Sequence, residues 1–253
     1  MQNLLLATTA AASNANATPC CGVPDAAGVT VPCSDADTGM MMMATTFVML
    51  QTPAMGLAQA GLIRRKNALS MLMQTMSGFV YGSCLWFFIG FSLTFGDSLG
   101  NYGLLGDLNN AFFQNIGITA CFAHSSAETI PGMLFAAWQM MFAVMVPVIV
   151  TGAWAERMTF NAFSVFVCIW PVLVYYPLAH WVWNTQGWLA RLGLLDFAGG
   201  LTIHASSGSA AGIVAALLAR RSRVWCTHSP PRQQLLRGCN VSCNPLLTSD
   251  ILC

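Results

Sequence analysis

The stretch DFAGGLTIHASSG places an aspartate and a histidine at the beginning of a long apolar segment. Asp196 precedes this segment, and His204 lies inside it. Ionisable side chains within membrane-spanning segments are rare and commonly line the path of an ion, a proton or a substrate. His204 is therefore a candidate pore-lining residue. The alternative is a structural histidine that only donates a hydrogen bond to a neighbouring helix.

Asp196 has two compatible roles. An aspartate before a helix accepts hydrogen bonds from the backbone N–H groups that have no partner in the first turn. A fixed negative charge near the mouth of a path also attracts cations. Neither role requires the carboxylate to touch a substrate.

Two aromatic residues lie where both could meet the same cation. Trp183 ends the apolar segment that precedes Asp196, and Phe142 lies part-way along an earlier one. A cation over an aromatic face gains about 0.5–2 kcal/mol. We therefore expect a path for a small cation or its neutral conjugate. Trp183 alone would also fit the belt of aromatic residues that is common at helix ends.

The elements that must position these residues are membrane helices. Of the 253 residues, 56% are hydrophobic and 8% are charged, whereas charged residues make up about 25% of a typical soluble domain. Five apolar segments approach the ~20 residues that cross a bilayer as a helix; they are 41–63, 69–95, 133–154, 160–182 and 200–219. Such segments leave almost no polar face for water. The sequence therefore predicts an all-α, polytopic membrane protein.

Positive charges predict the orientation, because short cytoplasmic loops collect Lys and Arg. These charges follow the first, third and fifth segments and are Arg64, Arg65, Lys66, Arg157, Arg220, Arg221 and Arg223. The amino terminus is then outside and the carboxyl terminus cytosolic.

The net charge of +1 comes without the basic domain or stripe of nucleic-acid-binding proteins, so no nucleic-acid partner is expected.

A regular α-helix through the fifth segment predicts what surrounds His204. At about 100° per residue, Thr202 lies opposite His204. The face of His204 also carries small residues, namely Gly200, Ser207, Gly208, Ala211 and Ala215. Small residues spaced four apart, such as Gly208 and Gly212, allow close contact between helices. We therefore expect His204 to point into protein or into a lumen.

The two ends of the chain differ from its middle. Residues 1–39 form a predicted outer tail, in which cysteines could pair in an oxidising compartment; these are Cys20, Cys21 and Cys33. Residues 223–253 form a predicted cytosolic tail, disordered or aberrant, whose metal-ligand types are Cys226, His228, Cys239 and Cys243. Zinc favours such ligands, but their spacing is only loosely like that of known metal knuckles. No metal site and no cofactor are therefore expected.

Three separated motifs make the chain resemble the ammonium transporter family (Amt/Mep/Rh), and its Amt branch most. GLIRRKNALSML follows the first segment, TGAWAERM ends the third, and DFAGGLTIHASSG opens the fifth. The motifs occur in the order typical of the family. The resemblance covers residues 40–222, which we treat as one five-helix membrane region.

The resemblance implies roles for four residues. Trp183, in HWVW, resembles a residue of the outer ammonium recruitment site, and Phe142, in WQMMF, resembles one of a pair of phenylalanines that close the pore below it. Asp196 resembles the acid that supports the recruitment site, and His204 resembles one of two pore histidines. The implied substrate is ammonium or ammonia, with methylammonium compatible. The implied assembly is a trimer in the plasma membrane, formed with itself or with full-length relatives.

The resemblance also predicts that residues 40–222 are half of a transporter. Family members have about eleven membrane helices built as two inverted five-helix repeats, with the site at the interface of the repeats. This chain resembles only the first repeat, and the partner histidine and the second phenylalanine belong to the other. We therefore expect a chain that does not conduct alone, explained by a truncated gene model, a spliced product or a split gene.

Two rival functions follow from the residues. One is a non-conducting subunit that inserts into or regulates full-length relatives. The other is a rhomboid-like serine protease, which needs G-x-S-G and a histidine on another helix, although here Ala205 occupies the first glycine position in ASSG. Di-iron desaturases need clustered histidines, whereas the four histidines of this chain are scattered. An enzyme is therefore not expected.

Overall fold

Five apolar helices dominate the computed structural model, which describes residues 33–117 and 129–218. The helices long and apolar enough to cross a bilayer are Asp35–Leu62, Arg65–Phe95, Gly132–Trp154, Phe160–Arg191 and Gly200–Leu217, named here the first to fifth spans. An isolated antiparallel bridge pairs Ser98 with Gly106. The predicted all-α, multi-pass membrane fold is confirmed.

The chain divides into two compact units, Met1–Ala216 and Leu217–Cys253. Nearly all described residues belong to the first unit. Cys33 is disulfide-bonded.

Several predictions fall outside the described residues, namely those on Cys20 and Cys21, on the arginines after the fifth span, and on the cysteines and His228 of the last segment. The boundaries of the two predicted tails stay predictions.

The first span begins earlier than its apolar segment, because a polar turn precedes it. Ser34 caps this turn, and its hydroxyl accepts the backbone N–H of Asp37 at 3.2 Å. Asp35 and Asp37 then lie in the first turn, where negative charge is favoured by the helix dipole. Hydropathy alone does not register a capped polar turn, which explains the difference of six residues from the predicted start at residue 41.

Three spans contain a π-helical turn. These turns are Trp86–Gly90 in the second span, Pro171–Tyr175 in the fourth and Gly200–Ala205 in the fifth. A π turn inserts residues into the α-helical repeat and is frequent at functional sites. It therefore changes which residues share a face on either side of the turn.

Aromatic residues pack the second, third and fourth spans together. Trp86 and Tyr176 are both buried, with ring centroids 5.7 Å apart, and the indole N–H of Trp86 donates to the backbone oxygen of Ala136 at 3.1 Å. Gly90 allows this approach, because a Cβ there would lie 2.6 Å from Cζ of Tyr176. Phe95 packs against Phe135 with ring centroids 4.8 Å apart. The core thus reaches the end of the second span.

At one end of the bundle, two of the sequence motifs meet. The backbone N–H of Arg64, in GLIRRKN, donates to Oε1 of Glu156, in AERM, at 3.0 Å, and Nε of Arg64 lies 3.9 Å from Oε2. Glu156 has a φ of 64°, a conformation uncommon for a residue other than glycine. The carboxylate therefore ties the chain between the first two spans to the end of the third.

At the opposite end, two loops pack on each other. Gln186, in the turn between the helices Tyr176–Trp183 and Trp188–Arg191 of the fourth span, accepts the backbone N–H of Ser98 at 2.7 Å and donates to Oδ1 of Asp97 at 3.0 Å. The backbone N–H of Trp188 donates to the oxygen of Gly103 at 3.2 Å. The loop that follows the second span and this turn of the fourth span therefore lie on the same side of the bundle, which we call the Asp196 end.

Candidate functional site

A buried hydrogen-bond network anchors the last turn of the helix Tyr176–Trp183, within the fourth span, to the end of the second span. The side chain of Asn184 donates to the backbone oxygens of Thr94 at 3.2 Å and Gly96 at 3.0 Å. Nδ1 of His180 lies 2.8 Å from the same Thr94 oxygen, so Nδ1 carries the proton and donates. Both side chains are fully buried. Trp183 lies between them in sequence, and the network fixes the turn that carries it.

Trp183 joins the fourth span to the loop before the fifth. Its indole N–H donates to the backbone oxygen of Asp196 at 2.8 Å. Its ring packs against Phe142 of the third span, with centroids 6.3 Å apart and planes at 59°. Trp183 is only half-buried, so part of the indole remains available to a ligand.

Asp196 organises the beginning of the fifth span. Its Oδ1 accepts the backbone N–H of Gly200 at 2.6 Å, and its Oδ2 accepts the backbone N–H groups of Leu201 at 3.1 Å and Thr202 at 3.0 Å. The hydroxyl of Thr202 also donates to Oδ2 at 3.0 Å. The carboxylate thus binds helix N–H groups that would otherwise lack a partner, as the sequence predicted.

The charge of Asp196 follows from these contacts. Partial burial raises the pKa of the carboxyl group, but the hydrogen bonds from Thr202, Gly200 and Leu201 outweigh this effect and hold the pKa below its usual range. The group is therefore ionised at neutral pH. It places a fixed negative charge at this end of the bundle.

Gly199 makes the turn between Asp196 and the fifth span. It has a φ of 73°, and a Cβ at this position would collide with the side chain of Ile203. Only glycine adopts this conformation without strain. The glycine of the DFAGG motif therefore lets the chain fold back so that the Asp196 carboxylate faces the helix N-terminus.

A cavity of about 470 Å³ opens beside these residues. Trp138 and Phe142 form one wall, with centroids 4.7 Å apart and planes at 87°, and Trp183 and Asp196 form another. The full lining is Phe95, Phe135, Trp138, Gln139, Phe142, Val182, Trp183, Asn184, Thr185, Ala190, Leu194, Leu195, Asp196, Phe197, Ala198 and Ile203. An aromatic cavity with a carboxylate at its edge favours a small cation.

His204 does not line this cavity and is exposed in the chain. Thr202 and Ser207 are both buried, although a regular helix placed Ser207 beside His204 and Thr202 opposite. The predicted shared face therefore does not hold for Ser207, which directly follows the π turn Gly200–Ala205, whereas Gly200, Gly208 and Ala215 are exposed as His204 is. Among the described residues, no atom outside the backbone of this helix lies within 4 Å of a Cβ built on Gly208. Within the described part of the chain, His204 therefore lies on an exposed helix face and is not packed against other residues.

The structure thus brings together three of the four predicted site residues, Trp183, Phe142 and Asp196, and leaves His204 apart. It adds Trp138, Gln139 and Asn184, which the sequence reasoning missed. Trp138 precedes Phe142 by one helical turn, and residues four apart share a helix face, so its spacing gave a usable signal. The contacts of Asn184 link residues far apart in sequence, and the sequence offers no signal for them.

Comparison with known proteins places the chain among ammonium transporters. The profile of the Ammonium Transporter Family matches residues 39–237. "Ammonium transporter 1" of Dictyostelium discoideum is 41% identical over 186 residues, which are 73% of this chain and 39% of that protein. "Ammonium transporter" of Bacillus subtilis is 40% identical over 185 residues, which are 73% of this chain and 44% of that protein.

Comparison with solved structures agrees with the sequence comparison. The crystal structure of Saccharomyces cerevisiae Mep2 superposes with a TM-score of 0.68 at 37% identity, covering 75% of this chain and 41% of that one. The chain therefore spans about two-fifths of the length of these relatives. The match extends over the five spans and the DFAGG motif. The chain belongs to the ammonium transporter family.

Proposed function

We propose that this chain forms the mouth and one wall of a transmembrane path for ammonium or ammonia. The observation that carries the proposal is the aromatic cavity beside Asp196, in which Trp183 is fixed by its hydrogen bond to the Asp196 backbone. Ammonium is a small cation, and methylammonium shares its charge and N–H groups. Both suit such a cavity.

The aromatic rings and the Asp196 carboxylate have different parts in recruiting the ammonium ion. Trp183, Phe142 and Trp138 present π faces or edges to the cavity, and a cation over such a face gains about 0.5–2 kcal/mol. The carboxylate oxygens of Asp196 already accept four hydrogen bonds. Asp196 therefore acts by long-range attraction and by holding Trp183, and it does not need to contact the ion.

Passage beyond the cavity involves His204 in this proposal. An ammonium ion is costly to transfer into the apolar interior unless it is paired or loses its charge. Ammonium therefore transfers its proton to solvent water at the cavity mouth, and the neutral ammonia then passes the imidazole. His204 lies on the fifth span, one residue beyond the cavity-lining Ile203, which supports a place further along the same path.

The path needs a second wall. His204, Gly208 and Gly212 are exposed, and no atom of another element in residues 33–117 and 129–218 lies within 4 Å of a Cβ built on either glycine. Polar groups facing lipid cost several kcal/mol each. We infer that residues 33–218 do not conduct alone and that a second helical unit covers this face, within a trimer in the plasma membrane with the amino terminus outside.

A second candidate is a non-conducting subunit that binds full-length relatives. The same open face favours it, because small residues along a membrane helix allow another helix to approach closely. Catalysis by a serine is not supported, because the Ser207 side chain is buried and donates to the backbone oxygen of Ile203 at 2.7 Å. The relatives found are transporters and not enzymes.

Growth of a yeast strain without its own ammonium carriers tests the proposal. The chain alone should not restore growth on low ammonium, whereas the chain extended by the second half of the Bacillus subtilis relative should. Growth with the chain alone would overturn the need for a second wall. Failure of the extended chain, when it is present in the membrane at normal amounts, would favour the non-conducting subunit.

A further inference from the structure

A long apolar groove runs along the fourth span and is separate from the cavity. It measures about 430 Å³, and no residue lines both the groove and the cavity. Side chains spaced four residues apart form ridges on a helix, with a groove between neighbouring ridges. One ridge here contains Ala162, Phe166 and Trp170, and the other contains Val165, Ile169 and Leu173.

The dimensions of the groove suit a lipid acyl chain. At ~1.5 Å per residue, the distance from Ala162 to Leu173 along the helix is roughly 16 Å, and one leaflet contributes about half of the ~30 Å hydrocarbon core of a bilayer. Val165, Ile169 and Leu173 are each at least half exposed. The rings of Phe166 and Trp170 stack with centroids 5.9 Å apart and planes at 16°, which gives the opposite ridge a flat aromatic wall.

A cation lies at one end of this groove. Arg157 directly precedes Met158, which is the first residue of the groove lining. The guanidinium donates from Nη2 to the backbone oxygen of Ala153, and its Nε atom is buried without an acceptor among the described residues. A buried donor of this kind is uncommon in folded proteins. The guanidinium of Arg157 therefore has fewer acceptors than it can use.

The charge of Arg157 also lacks a counter-ion in the described part of the chain. The neighbouring carboxylate, that of Glu156, contacts Arg64 through the backbone N–H and through Nε. Within residues 33–117 and 129–218, no carboxylate lies at ion-pair distance from Arg157. A partly buried charge is costly unless it is paired. An anion at the end of the groove would supply that pair.

We propose that this groove binds a phospholipid of net negative charge: one acyl chain lies between the two ridges, and the phosphate of the headgroup pairs with Arg157. The planar fork of a guanidinium matches the oxygens of a phosphate. Every phospholipid has a phosphate, but the choline of phosphatidylcholine carries a positive charge that offsets it. Preference for an anionic lipid therefore comes from the net charge of the headgroup.

The surroundings of Arg157 add to this attraction. Arg65 and Lys66 are exposed near Arg64, at the same end of the bundle, and basic side chains at a membrane surface attract anionic lipids. The helix Phe160–Trp170 also begins at this end, and a helix N-terminus is electropositive. The inference does not depend on the proposed ammonium path.

Lipid titrations of the purified 253-residue chain in detergent test this site, with native mass spectrometry measuring the affinity of the first bound lipid. Dioleoylphosphatidylglycerol and dioleoylphosphatidylcholine have the same acyl chains and differ in net charge. The parent chain should bind the phosphatidylglycerol about fivefold more tightly, as expected for one basic residue near an anionic headgroup. Arg157→Gln should remove this preference.

Control variants separate the site from general attraction to charge. Arg65→Gln changes the net charge by the same amount at an exposed position of the same end and should keep the preference. Arg157→Lys keeps the positive charge and should also retain it, which provides the test if Arg157→Gln folds poorly.

A second pair of variants tests the acyl chain. Ala162→Trp fills the groove without changing charge and should weaken the binding of both lipids. Ala58→Trp, at an exposed position of the first span, is the matched control and should bind both lipids as the parent chain does. Glycerol 3-phosphate, which has the phosphate and no acyl chain, should not compete at the lipid concentrations used.

Four results would overturn the inference. They are equal affinity of the parent chain for the two lipids, retained preference in Arg157→Gln, unchanged lipid binding in Ala162→Trp, and effective competition by glycerol 3-phosphate. The last result would indicate a site for free phosphate and not for a lipid.

Discussion

Trp183 and Asp196 are held together by a hydrogen bond from the indole N–H to the backbone oxygen of the aspartate, 2.8 Å long. The Asp196 carboxylate meanwhile binds the first turn of the fifth span. One residue therefore orients both the aromatic side chain at the cavity and the helix that carries His204. Disturbing Asp196 should affect the stability of the fold and the cavity together.

Replacing Asp196 should destabilise the fifth span. Asp196→Ala removes the acceptor of three backbone N–H groups and one hydroxyl, and loss of a helix cap costs about 0.5–2 kcal/mol. The apparent midpoint of thermal unfolding in detergent should fall accordingly. Asp35→Ala is the matched control, because this aspartate lies in an exposed first turn and should change the midpoint less. Equal effects of the two substitutions would contradict the capping role.

The contribution of the Asp196 charge should depend on pH. The pKa of this carboxyl group is lower in the folded protein than its ordinary value, so folding favours the ionised form. The stabilisation is fully present above the unfolded pKa of about 3.9 and is lost as the pH falls through the folded pKa. Unfolding midpoints of the parent chain and of Asp196→Asn should therefore converge as the pH is lowered below about 4. A constant difference across this range would argue against an ionised carboxylate.

The contact between Arg64 and Glu156 should depend on an acceptor oxygen more than on charge. Glu156→Ala removes the acceptor of the part-buried Arg64 backbone N–H, and loss of a hydrogen bond of this kind costs about 0.5–1.5 kcal/mol. Glu156→Gln keeps an oxygen at the same place and should cost less. Unfolding midpoints of the two variants measure the difference, and equal losses would show that the ion pair at 3.9 Å dominates.

The open face of the fifth span should be covered when a second half is present. A photoreactive benzoylphenylalanine at position 208 should label lipid in the chain expressed alone, because no other element of the described chain lies within 4 Å of a Cβ at Gly208. Co-expression with the second half of the Bacillus subtilis relative should divert the label to that partner. Position 169, on the exposed side of the fourth span, serves as a control. Labelling of lipid at 208 in both conditions would count against a second wall.

The sequence predicted the five spans well because a bilayer imposes length and apolarity directly on the chain. Trp183 and Asp196 were placed at the same end because one closes a span and the other precedes the next. Trp138 was missed although it lies one turn before Phe142, since only Phe142 matched the family pattern. Each of these inferences depends on local spacing, which a sequence contains.

The π turns and the contacts between distant loops were not predictable in this way. A π turn such as Gly200–Ala205 changes the helical repeat, and no residue pattern marks it. Ser207, which directly follows this turn, is buried, whereas His204 within the turn is exposed. The anchoring of Asn184 and His180 on Thr94 depends on tertiary packing, so its effect on Trp183 emerges only from the structure.

Uptake of labelled methylammonium by the extended chain, in yeast without its own ammonium carriers, tests the central claim most directly. Trp183→Leu and Trp181→Leu each remove an indole ring and its hydrogen bond to a backbone oxygen, since Trp183 donates to Asp196 at 2.8 Å and Trp181 to Leu104 at 2.6 Å, but of the two only Trp183 lines the cavity. At equal amounts in the membrane, Trp183→Leu should reduce uptake at low substrate by roughly 2- to 30-fold, and Trp181→Leu should not. Equal uptake by the two variants would contradict a recruitment site at Trp183.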